Sequence, residues 1–173
     1  LIIALIPLLA FGQTWQNPMT LSGQLAMGIG DPYIFKFRGT YYLYSSSRTE
    51  QEIRCWTSKD LINWTTAVVC CNDASARSAY APEVVYWNGT FYMYTSPAGN
   101  GHYVLTSDSP TGPFVTVTEN LGKKIDGSIF IDDDCKWYFY HANAAGILGC
   151  AMPNPTTIGE SLDLNALMMK QWT

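Results

Sequence analysis

Charge is scarce in this 173-residue chain. Asp, Glu, Lys and Arg together make up 14% of it, well under the roughly 25% usual in soluble domains. Ten basic residues face fourteen acidic ones, for a formal net charge of −4. No Lys/Arg run or cluster occurs, which argues against nucleic acid and anionic membrane as partners. There are only two histidines, and no C-x-x-C or His-paired spacing, so the chain lacks a zinc signature. Also missing is an apolar run of the about 20 residues that a bilayer crossing needs. The run from Leu1 to Phe11 is far shorter, and Pro7 breaks it.

That run has another meaning. Ala10-Phe11-Gly12 puts small residues at the −3 and −1 positions of a secretory cleavage site, which predicts removal of residues 1–12 and a mature start at Gln13. The expected location is secreted, or periplasmic. Neither an initiator Met nor a basic stretch precedes Leu1, so the sequence reads as cut at that end. Export permits disulfides, and the five cysteines (Cys55, Cys70, Cys71, Cys135, Cys150) leave one over. Cys55 with Cys70 or Cys71 is the expected bridge, joining outer strands of one sheet. Residues 13–29 are polar and Gly-punctuated, and read as an arm.

What the chain does have is aromatics: 14% of residues, with 11 Tyr and 6 Trp. Low charge and many rings suit a protein that handles an uncharged ring such as a sugar. The aromatics fall into a repeat. Tyr33–Phe37 and Tyr41–Tyr44 flank a Gly-containing turn, which is a β-hairpin signature. The hairpin returns at Glu83–Tyr94 and at Ser128–Tyr140. Gly39 and Gly89 are 50 residues apart, and Gly89 and Cys135 are 46 apart. Such a period marks the blades of a β-propeller. Further strands are expected at Ile53–Thr57 and Ala67–Cys70 in blade one, at His102–Thr106 and Phe114–Val117 in blade two, and at Ile147–Met152 in blade three. After Pro153 the pattern weakens to an outer turn and edge strand, with a helix over Leu162 to Lys170 as the alternative. Residues 30–173 thus supply about three blades, fewer than a closed ring needs, and a fourth would begin beyond Thr173.

In a propeller the innermost strand of each blade lines the central channel, and its leading residue lies at one mouth. The residue eight before Gly39 is Asp31 and the residue eight before Gly89 is Ala81; with a turn one residue longer, nine before Cys135 is Asp126. Blades one and three therefore carry a carboxylate at the same phase, and blade two does not. Paired carboxylates converging on one pocket are what glycosidic cleavage requires. Taken singly, Asp31 reads as well as a turn residue held extended by Pro32, and Asp126 as a turn residue beside Gly127.

The motifs resemble those of glycoside hydrolase family 43. The resemblance is carried by Gly30-Asp31-Pro32-Tyr33-Ile34, Gly39-Thr40-Tyr41-Tyr42-Leu43-Tyr44 and Ser58-Lys59-Asp60-Leu61-Ile62-Asn63-Trp64. It continues in Tyr80-Ala81-Pro82-Glu83-Val84, Ser107-Asp108-Ser109-Pro110-Thr111-Gly112-Pro113-Phe114 and Asp126-Gly127-Ser128-Ile129-Phe130-Ile131-Asp132. It implies an all-β, five-bladed propeller glycosidase acting on arabinofuranosyl or β-xylosyl linkages of arabinan, arabinoxylan or xylo-oligosaccharides by inversion. Asp31 would be the general base, and Asp126 the carboxylate that orients the general acid and keeps its pKa raised. The family's acid, a Glu leading blade four, lies past Thr173; Glu160, in the outer part of blade three, does not replace it.

Tyr80 stands where the family commonly has Trp, as a wall of the sugar pocket or as inter-blade packing. Glu83 reads as an inward polar contact or, slightly favoured, a structural hydrogen bond. Cys135 occupies the family's usual Gly in an Asp-Asp-x-Gly turn, where a positive φ is expected. Some relatives hold a calcium ion at the channel centre, but these residues supply no ligand set for it, and no cofactor is otherwise implied. The alternative to an enzyme is a carbohydrate-binding propeller without hydrolysis.

Overall fold

Alternating aromatic and β-branched residues, punctuated by positive-φ turns, build three antiparallel sheets. The computed structural model describes residues 19, 21–23, 30–47, 52–74 and 77–162. The expected leader (1–12), most of the expected arm (13–29), and all but the first residue of the alternative helix at 162–170 lie outside the described residues. The first sheet runs in the order β1 (Gly30–Phe37), β2 (Thr40–Ser46), β3 (Ile53–Ser58), β4 (Val68–Cys71). The second is β5 (Ala79–Trp87), β6 (Thr90–Pro97), β7 (Tyr103–Ser107), β8 (Val115–Thr116), and the third β9 (Ser128–Ile131), β10 (Trp137–Asn143), β11 (Gly146–Met152). These are three blades of the five-bladed propeller class, each strand hydrogen-bonded to the next within its own sheet.

The inner hairpins are set by their turns. Phe37 pairs with Thr40 across Arg38-Gly39, and Trp87 with Thr90 across Asn88-Gly89. All four turn residues have positive φ, from 46° to 91°. Such a two-residue turn matches the right-handed twist of the flanking strands, and Gly is the residue that adopts it at no steric cost. In blade three the turn is longer. Cys135, at φ 64°, closes it by donating its N–H to the Asp132 carbonyl at 2.8 Å.

Aromatics join the blades. Phe37 of blade one lies 4.6 Å from Tyr86 and 5.0 Å from Phe91 of blade two, ring centre to ring centre. Trp87 of blade two meets Trp137 of blade three edge-on at 5.6 Å, the T-shaped geometry that aromatic pairs prefer. A latch repeats as well. The Tyr44 hydroxyl donates to the Pro110 carbonyl in blade two, and the Tyr94 hydroxyl to the Pro155 carbonyl in blade three, each at 2.5 Å.

The cysteines depart from the expected pairing. Cys55, Cys70 and Cys71 are all buried free thiols. Across β3–β4, Ile53 pairs with Cys71 and Arg54 with Val69, so Cys70 is a bulged extra residue. The Cys70 thiol donates to the Ile53 carbonyl, 3.3 Å away. Burial pushes the Cys55 thiol up to about 12, which keeps it protonated and inert.

Candidate active site

The heads of the three inner strands share one backbone device. On β1 the register steps from Gly30 opposite Ser46 to Tyr33 opposite Tyr44, and on β5 from Tyr80 opposite Ser96 to Glu83 opposite Tyr94. Each step inserts one extra residue, a β-bulge, and bulges re-aim side chains. The head residue takes a positive φ in every blade: 47° at Asp31, 44° at Ala81 and 60° at Asp126. Asp31 is therefore left-handed and not extended. A following Pro disfavours the right-handed helical region, and the bulge takes the left-handed alternative. For Asp and Ala that conformation is strained, and such strain collects at functional sites.

The three heads line one cavity of about 310 Å³, bounded by Asp31, Pro32, Tyr33, Ala81, Glu83 and Asp126. Both aspartates are exposed to it, and at the matching head position blade two has the Ala81 methyl, with Pro82 and Glu83 beside it.

Each aspartate is fixed from behind. Asp31 Oδ2 accepts a 2.5 Å hydrogen bond from the hydroxyl of buried Ser46, which itself accepts the Ala81 N–H at 2.9 Å. The head of blade one is thus tied to the head of blade two. Asp126 is held through its neighbour: the Gly127 N–H donates to His102 Nε2 at 2.9 Å. Because Nε2 accepts, the ring proton sits on Nδ1, which donates to the Lys123 carbonyl at 2.9 Å. His102 is 1% exposed, and burial lowers its pKa to about 4, so the ring stays neutral. Protonating it would point a second N–H at the Gly127 amide. No side chain fits at 127, where a Cβ would stand 2.5 Å from Phe139 Cζ and 2.6 Å from His102 Nε2.

Glu83 Oε1 accepts the Ile129 N–H of blade three at 2.8 Å. Burial raises its pKa, opposed by hydrogen bonds from the Ile129 amide and the Ser128 hydroxyl. Tyr33 donates its hydroxyl to the Val84 carbonyl at 3.1 Å, and burial with the nearby Glu83 charge pushes it up to about 12. Tyr80 is half-buried on β5 outside the cavity lining, and its carbonyl accepts the Thr95 hydroxyl at 3.0 Å. Ser46 and His102 escaped the sequence reading. A serine ending a strand and a histidine after Gly101 carry no periodic signal, and only their three-dimensional partners give them meaning. Among the described residues, no group of three His, Cys, Asp or Glu could hold a metal ion.

Three blades whose heads bring two carboxylates to one cavity place the chain in the β-propeller class. The model of the family described as glycosyl hydrolases family 43 matches residues 25–169, and the chain belongs to that family. It is 29% identical over 169 residues to a non-reducing end alpha-L-arabinofuranosidase of Bacteroides ovatus, covering 87% of this chain and 30% of that protein. It is 25% identical over 170 residues to an arabinoxylan arabinofuranohydrolase of Bacillus subtilis, covering 71% of this chain and 32% of the relative. Among solved structures, a thermostable family-43 glycoside hydrolase superposes with a TM-score of 0.71 at 28% identity, over 86% of this chain and 55% of that one. The chain thus spans about a third of these curated relatives and about half of that structure.

Proposed function

We propose that the protein is a secreted glycosidase that hydrolyses arabinofuranosyl or β-xylosyl linkages of plant polysaccharides with inversion. The observation that carries this reading is the convergence of Asp31 and Asp126, at equivalent strand heads, on one cavity. Family membership supports it, as do relatives named for arabinofuranosyl hydrolysis. Asp31, oriented by Ser46, takes a proton from water as the water attacks the anomeric carbon. A carboxylic acid on the opposite side gives its proton to the leaving oxygen, and Asp126 orients that acid. The two reacting carboxyls then stand roughly 6.5–9.5 Å apart, leaving room for the water. The low charge of the chain and the Ala10-Phe11-Gly12 site support export, with Gln13 as the new N-terminus.

Proton NMR of the first product released by the full-length protein tests the mechanism. The inverted anomer is expected, and the retained anomer appearing first would overturn it. Mass spectrometry of secreted protein tests the leader: retention of residues 1–12 would contradict export through that site.

A further inference from the structure

A second cavity, of about 520 Å³, lies beside the first and has a different character. Lys123, Lys124, His141, Asn143, Leu148 and Ser161 line it. Ile125 alone separates Lys124 of this lining from Asp126 of the first, so one short segment borders both cavities. We propose that this cavity is a subsite for an acidic sugar, holding the carboxylate of a hexuronic acid carried on the glycan.

The two lysines supply positive charge, and neither is in an ion pair among the described residues: those pairs are Arg54–Glu52 and Lys136–Asp134. In a chain with so few cations, two adjacent ones at a single cavity favour an anion. The backbone that carries them is held on both sides. Leu121 N–H donates to the His102 carbonyl at 2.9 Å, His102 Nδ1–H to the Lys123 carbonyl at 2.9 Å, and Ala142 N–H to the Ile125 carbonyl at 2.9 Å. Lys123 also sits at φ 56°, a costly conformation for a side-chain-bearing residue that persists only where its surroundings impose it.

The remaining walls suit a sugar more than a bare anion. His141 is 4% exposed, and its buried Nδ1 has no hydrogen-bond partner among the described residues. A buried polar atom left unpaired is costly, which makes it a candidate contact for a polar ligand. Burial holds the His141 ring below the ordinary histidine range, hence neutral and able to serve a hydroxyl. Asn143 and Ser161 add polar rims, and Leu148 offers a partly exposed apolar surface for a ring face. The volume accommodates a monosaccharide with its linkage.

The inference rests on the carbohydrate reading for the ligand being a sugar, and its test separates the two. In the full-length protein, calorimetry compares a glucuronic-acid-bearing xylotriose with neutral xylotetraose at low salt, and with inorganic phosphate. The acidic oligosaccharide is expected to bind about tenfold tighter than the neutral one. The advantage shrinks as salt rises. It falls away in Lys124→Gln and persists in Lys124→Arg. Equal affinity for the two sugars, an advantage that survives Lys123→Gln with Lys124→Gln, or phosphate competing as well as the acidic sugar would each overturn the subsite. Hydrolysis of an uncharged aryl arabinofuranoside is read alongside. Activity without acid preference sinks the subsite alone, whereas acid preference without activity on that substrate or on an aryl β-xyloside supports the subsite and sinks the glycosidase reading.

Discussion

Blades one and two begin with the same backbone and different chemistry. Asp31 and Ala81 sit at matching bulges, at φ 47° and 44°, each before a proline and each followed by a two-residue hairpin turn. Behind each stands a buried serine, Ser46 in one blade and Ser96 in the other. Ser46 donates to Asp31 Oδ2 and accepts from Ala81 N–H. The Ser96 hydroxyl has no partner among the described residues, and in place of a carboxylate its blade presents a methyl. The repeat therefore sets the scaffold, and a single side chain decides whether a blade head can do chemistry. Blade three shows a third solution: its aspartate is steadied by a neutral histidine from blade two.

The comparison is sharpened by substitutions at these heads. Gly127→Ala forces a Cβ against Phe139 and His102, and overpacking of this kind costs about 3 kcal/mol. Chemical denaturation measures it, and an unchanged midpoint would mean that the blade-three head tolerates a side chain.

Acid comes next. His102 titrates at about 4 when folded against an ordinary 6.5. Above the higher value neither state binds the proton. As pH falls from 6.5 toward 4 the unfolded chain takes up a proton that the folded one refuses. Stability is thus present near neutrality and lost on acidification, by about 2–3 kcal/mol between pH 7 and 4.5. Glu83, raised by burial, works in the opposite sense. The diagnostic is therefore the difference between the wild type and His102→Gln, whose pH slope should be flatter over this range.

Ser46→Ala leaves the Ala81 amide and the Asp31 carboxylate without their shared partner, for about 1–2 kcal/mol. Ser46→Thr should restore most of it. Ser96→Ala removes a hydroxyl that is already unpaired, and should change the unfolding midpoint by less than about 0.5 kcal/mol or raise it slightly. In an Ala81→Asp background, Ser96→Ala should cost more than in the wild type, because a carboxylate then stands where blade one has it. Additivity in that double-mutant cycle would break the proposed equivalence of the heads.

Much of the frame was legible because strands announce themselves by alternation and turns by glycine. The hairpins fall where the aromatics put them, with β6 and β10 running three residues past the expected ends, to Pro97 and Asn143, and the third and fourth strands of blade one differ by a residue: Ile53–Ser58 for an expected Ile53–Thr57, Val68–Cys71 for Ala67–Cys70. Cys135 takes the positive φ its turn position calls for. The strand heads were harder. Bulges at Asp31-Pro32 and Ala81-Pro82 interrupt the alternation, so β1 and β5 start at Gly30 and Ala79, earlier than the aromatic pattern suggests. Sequence spacing likewise could not show that Cys70 is a bulged residue facing the Ile53 carbonyl. The equal phase of Asp31 and Asp126 was readable by counting back from the turns. Ser46 and His102 were not, since their partners lie 15 to 35 residues away.

The central claim is that Asp31, and not the scaffold around it, supplies the base. Turnover of an aryl arabinofuranoside by the full-length Asp31→Asn protein tests it most directly, since the substitution keeps the shape and a hydrogen-bonding oxygen for Ser46 while removing the proton acceptor. Loss of a general base typically lowers kcat about 10²–10⁴-fold, and that loss, with KM little changed and the unfolding midpoint preserved, is the predicted result. Near-normal turnover in Asp31→Asn would contradict the assignment.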